Sequence, residues 1–240
     1  MVIDKPAGLV TTPADTIQEN TVSDILQQEY GNTLERGGVV HRLDKDTSGL
    51  LLAAKTQIAF EALQQQFKDR TVHKTYLTLT HLFTPKEGQI EGAIGRNPEN
   101  REKFTVTPFG KEALTKYFLV RHYQMSEEEL GKLFPEFNNI QRRKMQKMNY
   151  QQFSLVYCFP ETGRTHQIRV HLKHINFPIV GDEKYGGRKV VRLDHRWCKR
   201  QFLHAAKINL NHPITGEKIE FESPLPEDLA NALGCLEPLK

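Results

Sequence analysis

The chain has 240 residues, 38% hydrophobic and 26% charged, enough for a sizeable core, which excludes a disulfide-stapled miniprotein and a disordered chain. Its net charge is only +4, but residues 140–200 hold 14 Lys or Arg against 4 Asp or Glu, while residues 201–240 hold 3 against 6. No apolar run approaches the roughly 20 residues of a spanning helix, the start Met1-Val2-Ile3-Asp4-Lys5-Pro6 is too charged for a signal peptide, and Cys158, Cys198 and Cys235 form no Cys-x-x-Cys pair. These features predict a cytoplasmic protein with no membrane association, disulfide framework or zinc-thiolate site.

Val2-Ile3 reads as the second half of a strand, with more of the domain expected upstream, and Lys5-Pro6-Ala7-Gly8 as a turn. Asn20 or Thr21 is placed to cap a helix with Val22, Ile25, Leu26 and Tyr30 at helical spacing, ended by Gly31. Leu50 to Ala54 has the length and composition of a buried strand. Thr56 then caps a helix through Phe67, with Ile58, Ala62, Leu63 and Phe67 expected inward. Lys74 to His81 alternates as a half-buried strand does, which sets Tyr76, Thr78 and Thr80 opposite Leu77 and Leu79.

Further strands are expected around 104–107, 113–120, 153–159, 202–210 and 217–222. Between them, Ser126 to Lys147 is polar, helical or irregular, and ends in Arg142, Arg143, Lys144 and Lys147; it reads as an insertion around 126–150. Thr165 is expected to cap a helix over His166 to Ile175, with Ile168, Leu172 and Ile175 on one face and Arg169 and Lys173 elsewhere. Pro226 opens a last helix, with Leu229 and Leu233 inside and Gly234 at its end. The pattern predicts an α+β fold, a mixed, mainly antiparallel central sheet with peripheral helices and loops, in a single domain over 1–240.

The densest chemistry lies in His41-Arg42-Leu43-Asp44-Lys45-Asp46-Thr47-Ser48-Gly49. A carboxylate among basic neighbours stays ionised, which suits a base or nucleophile and not a general acid. For Asp46, followed by Thr47 and Ser48, a turn-capping role is the plainer reading. His166, His171 and His174 do not have the spacing of a metal-binding His-Glu-x-x-His helix, and no Cys or carboxylate completes a ligand set, so no metal is expected.

As a whole, HRLDKDTSGL resembles the signature of the RluA-type pseudouridine synthase family. The resemblance continues in order through Asp4-Lys5-Pro6-Ala7-Gly8-Leu9, Lys74-Thr75-Tyr76, the run from Glu161 to Leu172, Pro178-Ile179-Val180-Gly181-Asp182, Tyr185-Gly186 and Leu203-His204-Ala205. It covers nearly the entire chain.

The resemblance implies the pseudouridine synthase fold and an isomerase that needs no cofactor. The bond from the sugar to N1 of uracil breaks, the base turns, and a bond from the sugar to C5 forms with loss of the C5 proton. Asp44 matches the family's catalytic aspartate, Tyr76 the aromatic residue against the uracil, and Arg169 the arginine paired with the aspartate. Arg42 matches a side chain that enters the gap left by the flipped nucleotide. His41, Lys74, Arg164, His166, Gln167 and His171 are further expected RNA contacts.

The implied partner is structured rRNA or tRNA, whose uridine must leave its stack to react. A monomer with no protein partner is expected. The S4 RNA-binding domain that often precedes this domain does not occur in the 240 residues, and the 126–150 stretch is longer than the family pattern suggests. Two other functions fit less well: a non-catalytic RNA-binding or ribosome assembly factor has no need of Asp44, Tyr76 and Arg169 together, and a glycosidic-bond hydrolase needs a second, protonated acid.

Overall fold

A computed structural model of the chain describes residues 1–13, 20–31 and 34–239. Its first elements are strand β1 (Val2–Lys5), helix α1 (Val22–Tyr30), a 3-10 turn over Glu35–Gly38, β2 (Ser48–Leu52), α2 (Gln57–Lys68) and β3 (His73–His81). There follow β4 (Glu87–Glu91), β5 (Ile94–Arg96), β6 (Phe104–Val106), β7 (Leu114–Gln124), α3 (Glu127–Leu133), α4 (Asn139–Lys147) and β8 (Gln152–Pro160). The last are α5 (Gln167–His174), α6 (Arg188–Asp194), β9 (Leu203–Asn211), β10 (Lys218–Glu222), α7 (Glu227–Gly234) and β11 (Glu237–Pro238). The α+β class and mainly antiparallel pairing are as the sequence predicts. The chain divides into two compact units, Met1–Tyr76 with His204–Pro224, and Leu77–Leu203 with Leu225–Lys240.

In the first unit, β1 runs antiparallel to β2, with Ile3 opposite Leu51, and β10 antiparallel to β9. The β2–β9 pair is parallel, with Ser48 opposite His204. Leu50, Leu52, Phe60, Leu63, Ile208 and Leu210 form the core. Thr21 and Asp24 close a capping box at the start of α1, and Thr56 caps α2 through the amide of Ala59. The inward arc of α2 differs from expectation: Ile58 is 70% exposed, and Phe60 is buried with Leu63. Leu63 belongs to both arcs and Phe67 packs partly buried against this core, and taking Phe60 in place of Ile58 buries the larger side chain.

In the second unit, β4 and β8 flank β7, all antiparallel, and β11 pairs with the end of β7. β5 and β6 form a separate hairpin. The polar 126–150 stretch is two capped helices and not a loose excursion. Ser126 caps α3, Asn138 and Gln141 form a capping box on α4, and Leu130, Phe134, Met145 and Tyr150 are buried beneath them. The leucines and threonines of β3 also depart from a half-buried pattern. Thr78 and Thr80 are buried like Leu79, and their hydroxyls donate to the carbonyls of Phe202 (2.7 Å) and Ser154 (3.3 Å).

Helix α5 corrects the sequence reading twice. Its N-cap is His166, in the left-handed region at φ 55°, ψ 22° with no side-chain cap; Thr165 does not cap it. Every residue from Gln167 to Leu172 is buried, so Arg169 points inward as firmly as Ile168 and Leu172 do. At α7, Leu229 and Ala232 are buried and Leu233 only partly.

Candidate active site

In the first unit the loop before β2 is tied down at several backbone groups. The Thr11 hydroxyl donates to the Leu43 carbonyl (2.7 Å) and accepts from the Leu43 amide (3.1 Å). The Lys45 carbonyl accepts from the Gly8 amide (2.9 Å) and from the ammonium of Lys5 (3.0 Å). Lys5 is fully buried, and it also donates to the carbonyls of Pro6 and Leu9, both at 2.8 Å. Three carbonyls thus match the three donors of an ammonium, the condition for burying one. The turn predicted at Lys5 to Gly8 is thereby tied to the Asp44 loop.

The amide of Thr47 donates to the Asp44 carbonyl (3.1 Å) and turns the chain into β2. Ser48 meets His204 Nδ1 at 3.0 Å, and His204 Nε2 donates to the Ser223 carbonyl (3.1 Å). Gly49 sits at φ +106°, where an added Cβ would lie 2.3 Å from the Ala205 carbonyl oxygen, so a side chain would push β2 off β9. Thr47 and Ser48 are buried, Asp44 is partly exposed, and Arg42, Lys45 and Asp46 are exposed.

Tyr76 is buried near Asp44. Burial first, and then the Asp44 charge, push its phenol well above the ordinary value, so it stays protonated at any working pH. His41 takes a different part from the one expected. Its Nε2 accepts the Leu52 amide (2.9 Å), and its ring packs 4.9 Å from that of Phe67. Burial, and then the charge of Lys74, lower its pKa to about 3, so it is neutral and holds the C-terminal end of β2. The ammonium of Lys74 lies 5.7 Å over Phe67, and burial lowers its pKa to about 8.

In the second unit, Arg169 forms a bidentate pair with Asp182, Nε to Oδ2 and Nη2 to Oδ1, both 2.8 Å. The two side chains are 5% and 0% exposed. The amides of Lys184 and Tyr185 donate to the same Asp182 carboxylate, and the guanidinium lies 5.2 Å over the Tyr185 ring. The Tyr185 hydroxyl accepts from the Phe104 amide (3.0 Å) and meets His166 Nδ1 at 2.8 Å.

Behind this, Asp194 is fully buried and receives the Tyr150 hydroxyl (2.9 Å) and the Gly181 amide (3.0 Å), with His81 Nε2 at 3.0 Å. Trp197 Nε1 donates to the Tyr150 oxygen (3.0 Å). Burial and the Asp194 charge raise the Tyr150 phenol out of its titrating range.

Gln167 and His171, expected to meet RNA, are engaged inside this unit. Gln167 accepts from Thr162 (2.6 Å) and the Arg164 amide (3.0 Å), and it donates to the Leu114 carbonyl (2.9 Å) and to Thr115 (3.0 Å). His171 Nε2 donates to the Gly92 carbonyl (3.0 Å), and Nδ1 meets Thr115 at 3.0 Å. Arg164 donates to the Glu112 carbonyl and remains partly exposed, as does His166.

Asp182, Tyr185 and Asp194 received no role from sequence. The signal available in the sequence was that Asp182 and Tyr185 lie in two of the motifs that carry the resemblance, Pro178-Ile179-Val180-Gly181-Asp182 and Tyr185-Gly186. Among the described residues, no group of three or more His, Cys, Asp and Glu is placed to hold a metal ion, and no helix is long and apolar enough to cross a membrane.

The sequence profile described as RNA pseudouridylate synthase matches residues 1–174. The chain belongs to this family. It is 39% identical over 239 residues to "Uncharacterized RNA pseudouridine synthase YlyB" of Bacillus subtilis (strain 168), covering 97% of this chain and 68% of that protein. To "Ribosomal large subunit pseudouridine synthase D" of Pseudomonas aeruginosa it is 37% identical over 246 residues, covering 98% and 68%. The synthase thus spans about two thirds of the length of these relatives. A solved structure of "Human RNA Pseudouridylate Synthase Domain Containing 1" superposes with a TM-score of 0.71 at 26% identity, over 99% of this chain and 84% of that one. The activity read from HRLDKDTSGL and the motifs after it is that of the family: an RNA pseudouridine synthase, an isomerase.

Proposed function

We propose that the synthase isomerises particular uridines in structured large-subunit ribosomal RNA, with Asp44 as the catalytic carboxylate, in the cytoplasm, as a monomer in which residues 1–240 serve as one catalytic domain. The observation that carries this reading is the braced loop of Asp44 beside a buried, protonated Tyr76. A fixed carboxylate next to a flat aromatic face suits a uracil held out of its stack while the sugar–N1 bond breaks and the sugar–C5 bond forms. The C5 proton is lost and N1 gains one, so the step is balanced without an oxidant or an added group.

Arg169 is assigned the guanidinium role on the family resemblance. Its bidentate clamp to Asp182 supports this, because a fixed planar cation acts without reorganising. Arg42 is exposed and suits the gap left by the flipped nucleotide. Lys74, Arg164 and His166 are the remaining RNA contacts, whereas His41, Gln167 and His171 act by holding the protein around them. The ribosomal substrate is supported by relatives named for the large subunit.

Mapping of pseudouridines in total RNA from cells with and without the gene tests the substrate. Loss of one or a few sites in large-subunit rRNA is the expected result. Loss confined to tRNA, or no loss at all, would overturn it.

A further inference from the structure

We infer that one face of α4 is a second RNA-gripping surface of the synthase, a stripe of cations that binds phosphates of the folded substrate in addition to the uridine being modified. The inference rests on the substrate being structured RNA. Its starting point is the 126–150 stretch, which is polar in sequence yet firmly anchored. Met145 and Tyr150 are buried, Tyr150 is bonded to Asp194, and Arg196 holds the Leu133 carbonyl and the Glu136 carboxylate.

The charges of this segment sort into two groups. Every acid has a partner: Glu127 accepts the amides of Gln146 and Gln151, Glu128 and Glu129 share Lys132, and Glu136 takes Arg196. Arg142 is turned onto the carbonyls of Phe137 and Phe134. Arg143, Lys144 and Lys147 are left, exposed and with no anionic partner among the described residues.

With Ile140, which is 65% exposed, these three occupy positions i, i+3, i+4 and i+7 of α4, one stripe turned away from the buried Met145. The helix dipole accommodates Lys144 and Lys147 in the last turn. It gives no reason for Arg143 or for an exposed isoleucine beside them, and like charges at i,i+4 work against the isolated helix. A polyanion laid along the stripe satisfies all three cations at once. α6, which ends two residues before Arg196, adds exposed Arg188, Lys189 and Arg192 in the same unit.

The test compares wild type, a triple variant Arg143→Gln, Lys144→Gln, Lys147→Gln, and a control triple Lys68→Gln, Arg70→Gln, Lys218→Gln in exposed positions of the first unit. The probe is an in vitro transcript of bacterial large-subunit rRNA, with affinity measured across salt concentration. Each lost phosphate contact flattens the slope of log affinity against log salt by roughly 0.7–0.9, so the α4 triple is expected to lose about two units and the control none. Turnover on the same transcript is expected to show a KM raised about tenfold with kcat unchanged. An unchanged slope in the α4 triple, or an equal change in the control, would overturn the inference. The slope is read without turnover, so a failure of the proposed substrate or catalyst shows separately, as a wild-type protein that binds RNA but forms no pseudouridine.

Discussion

Around Asp44 the chain is held by backbone carbonyls and amides bridged by Lys5 and Thr11, and the side chains of Arg42, Lys45 and Asp46 remain exposed. Around Arg169 the reverse holds: Gln167, Arg169, His171, Asp182 and Asp194 are buried, and side chains satisfy one another. In the first region the exposed side chain of Arg42 can be removed while the backbone bonds that hold the loop stand. In the second, each polar group is a structural member, and its loss leaves a partner unsatisfied in a dry interior.

The contrast is most exposed to test at Asp182. Asp182→Ala removes the bidentate clamp from the buried Arg169 and leaves the amides of Lys184 and Tyr185 without their acceptor, and should lower unfolding free energy by about 3–5 kcal/mol, read from denaturant melts. A loss below about 1 kcal/mol, the range of a solvated surface pair, would break the comparison. Tyr150→Phe leaves Asp194 one donor short and the Trp197 N–H without its acceptor, and should cost about 1–3 kcal/mol in the same assay.

The exposed side of the Asp44 loop should behave otherwise. Arg42→Ala is expected to keep stability within about 0.5 kcal/mol of wild type, while turnover drops about tenfold, roughly 1.4 kcal/mol, with RNA affinity nearly unchanged. Equal losses of turnover and affinity would deny it a part in flipping.

Lys74 supplies the smallest effect and a pH dependence. Burial lowers its pKa to about 8, so the free protein carries this charge below that pH and loses it above. If Lys74 meets phosphate, RNA affinity should be level below about pH 8 and fall as pH rises through it. Lys74→Arg should remove the fall, because a guanidinium stays charged there; a fall that persists in that variant would assign it to another group.

Much of this architecture can be read from local chemistry. The caps at Thr21 and Thr56 need only a side-chain oxygen at the right place, and β7, β8, β9 and β10 follow from β-branched and aromatic runs. Strand β4, Glu87–Glu91, gives little strand signal because Ile90 is its one buried apolar side chain, the others being glycine, glutamine or glutamate. In α5, periodicity sets polar residues outward, but the helix is buried on every side from Gln167 to Leu172 and only Lys173 and His174 at its end are exposed, so spacing alone gives no sign that Gln167 and His171 bond inside the protein. The Arg169–Asp182 pair joins a helix to a loop thirteen residues on and leaves no periodic trace, although the motif containing Asp182 was visible.

The central claim is that the carboxylate of Asp44 performs the chemistry. Single-turnover formation of pseudouridine in a large-subunit rRNA transcript, measured for wild type and Asp44→Asn beside RNA affinity and melting temperature, tests it most directly. The rate is expected to fall by about a thousandfold or more, with affinity within about threefold and a cooperative melt retained. A rate within about tenfold of wild type would contradict it.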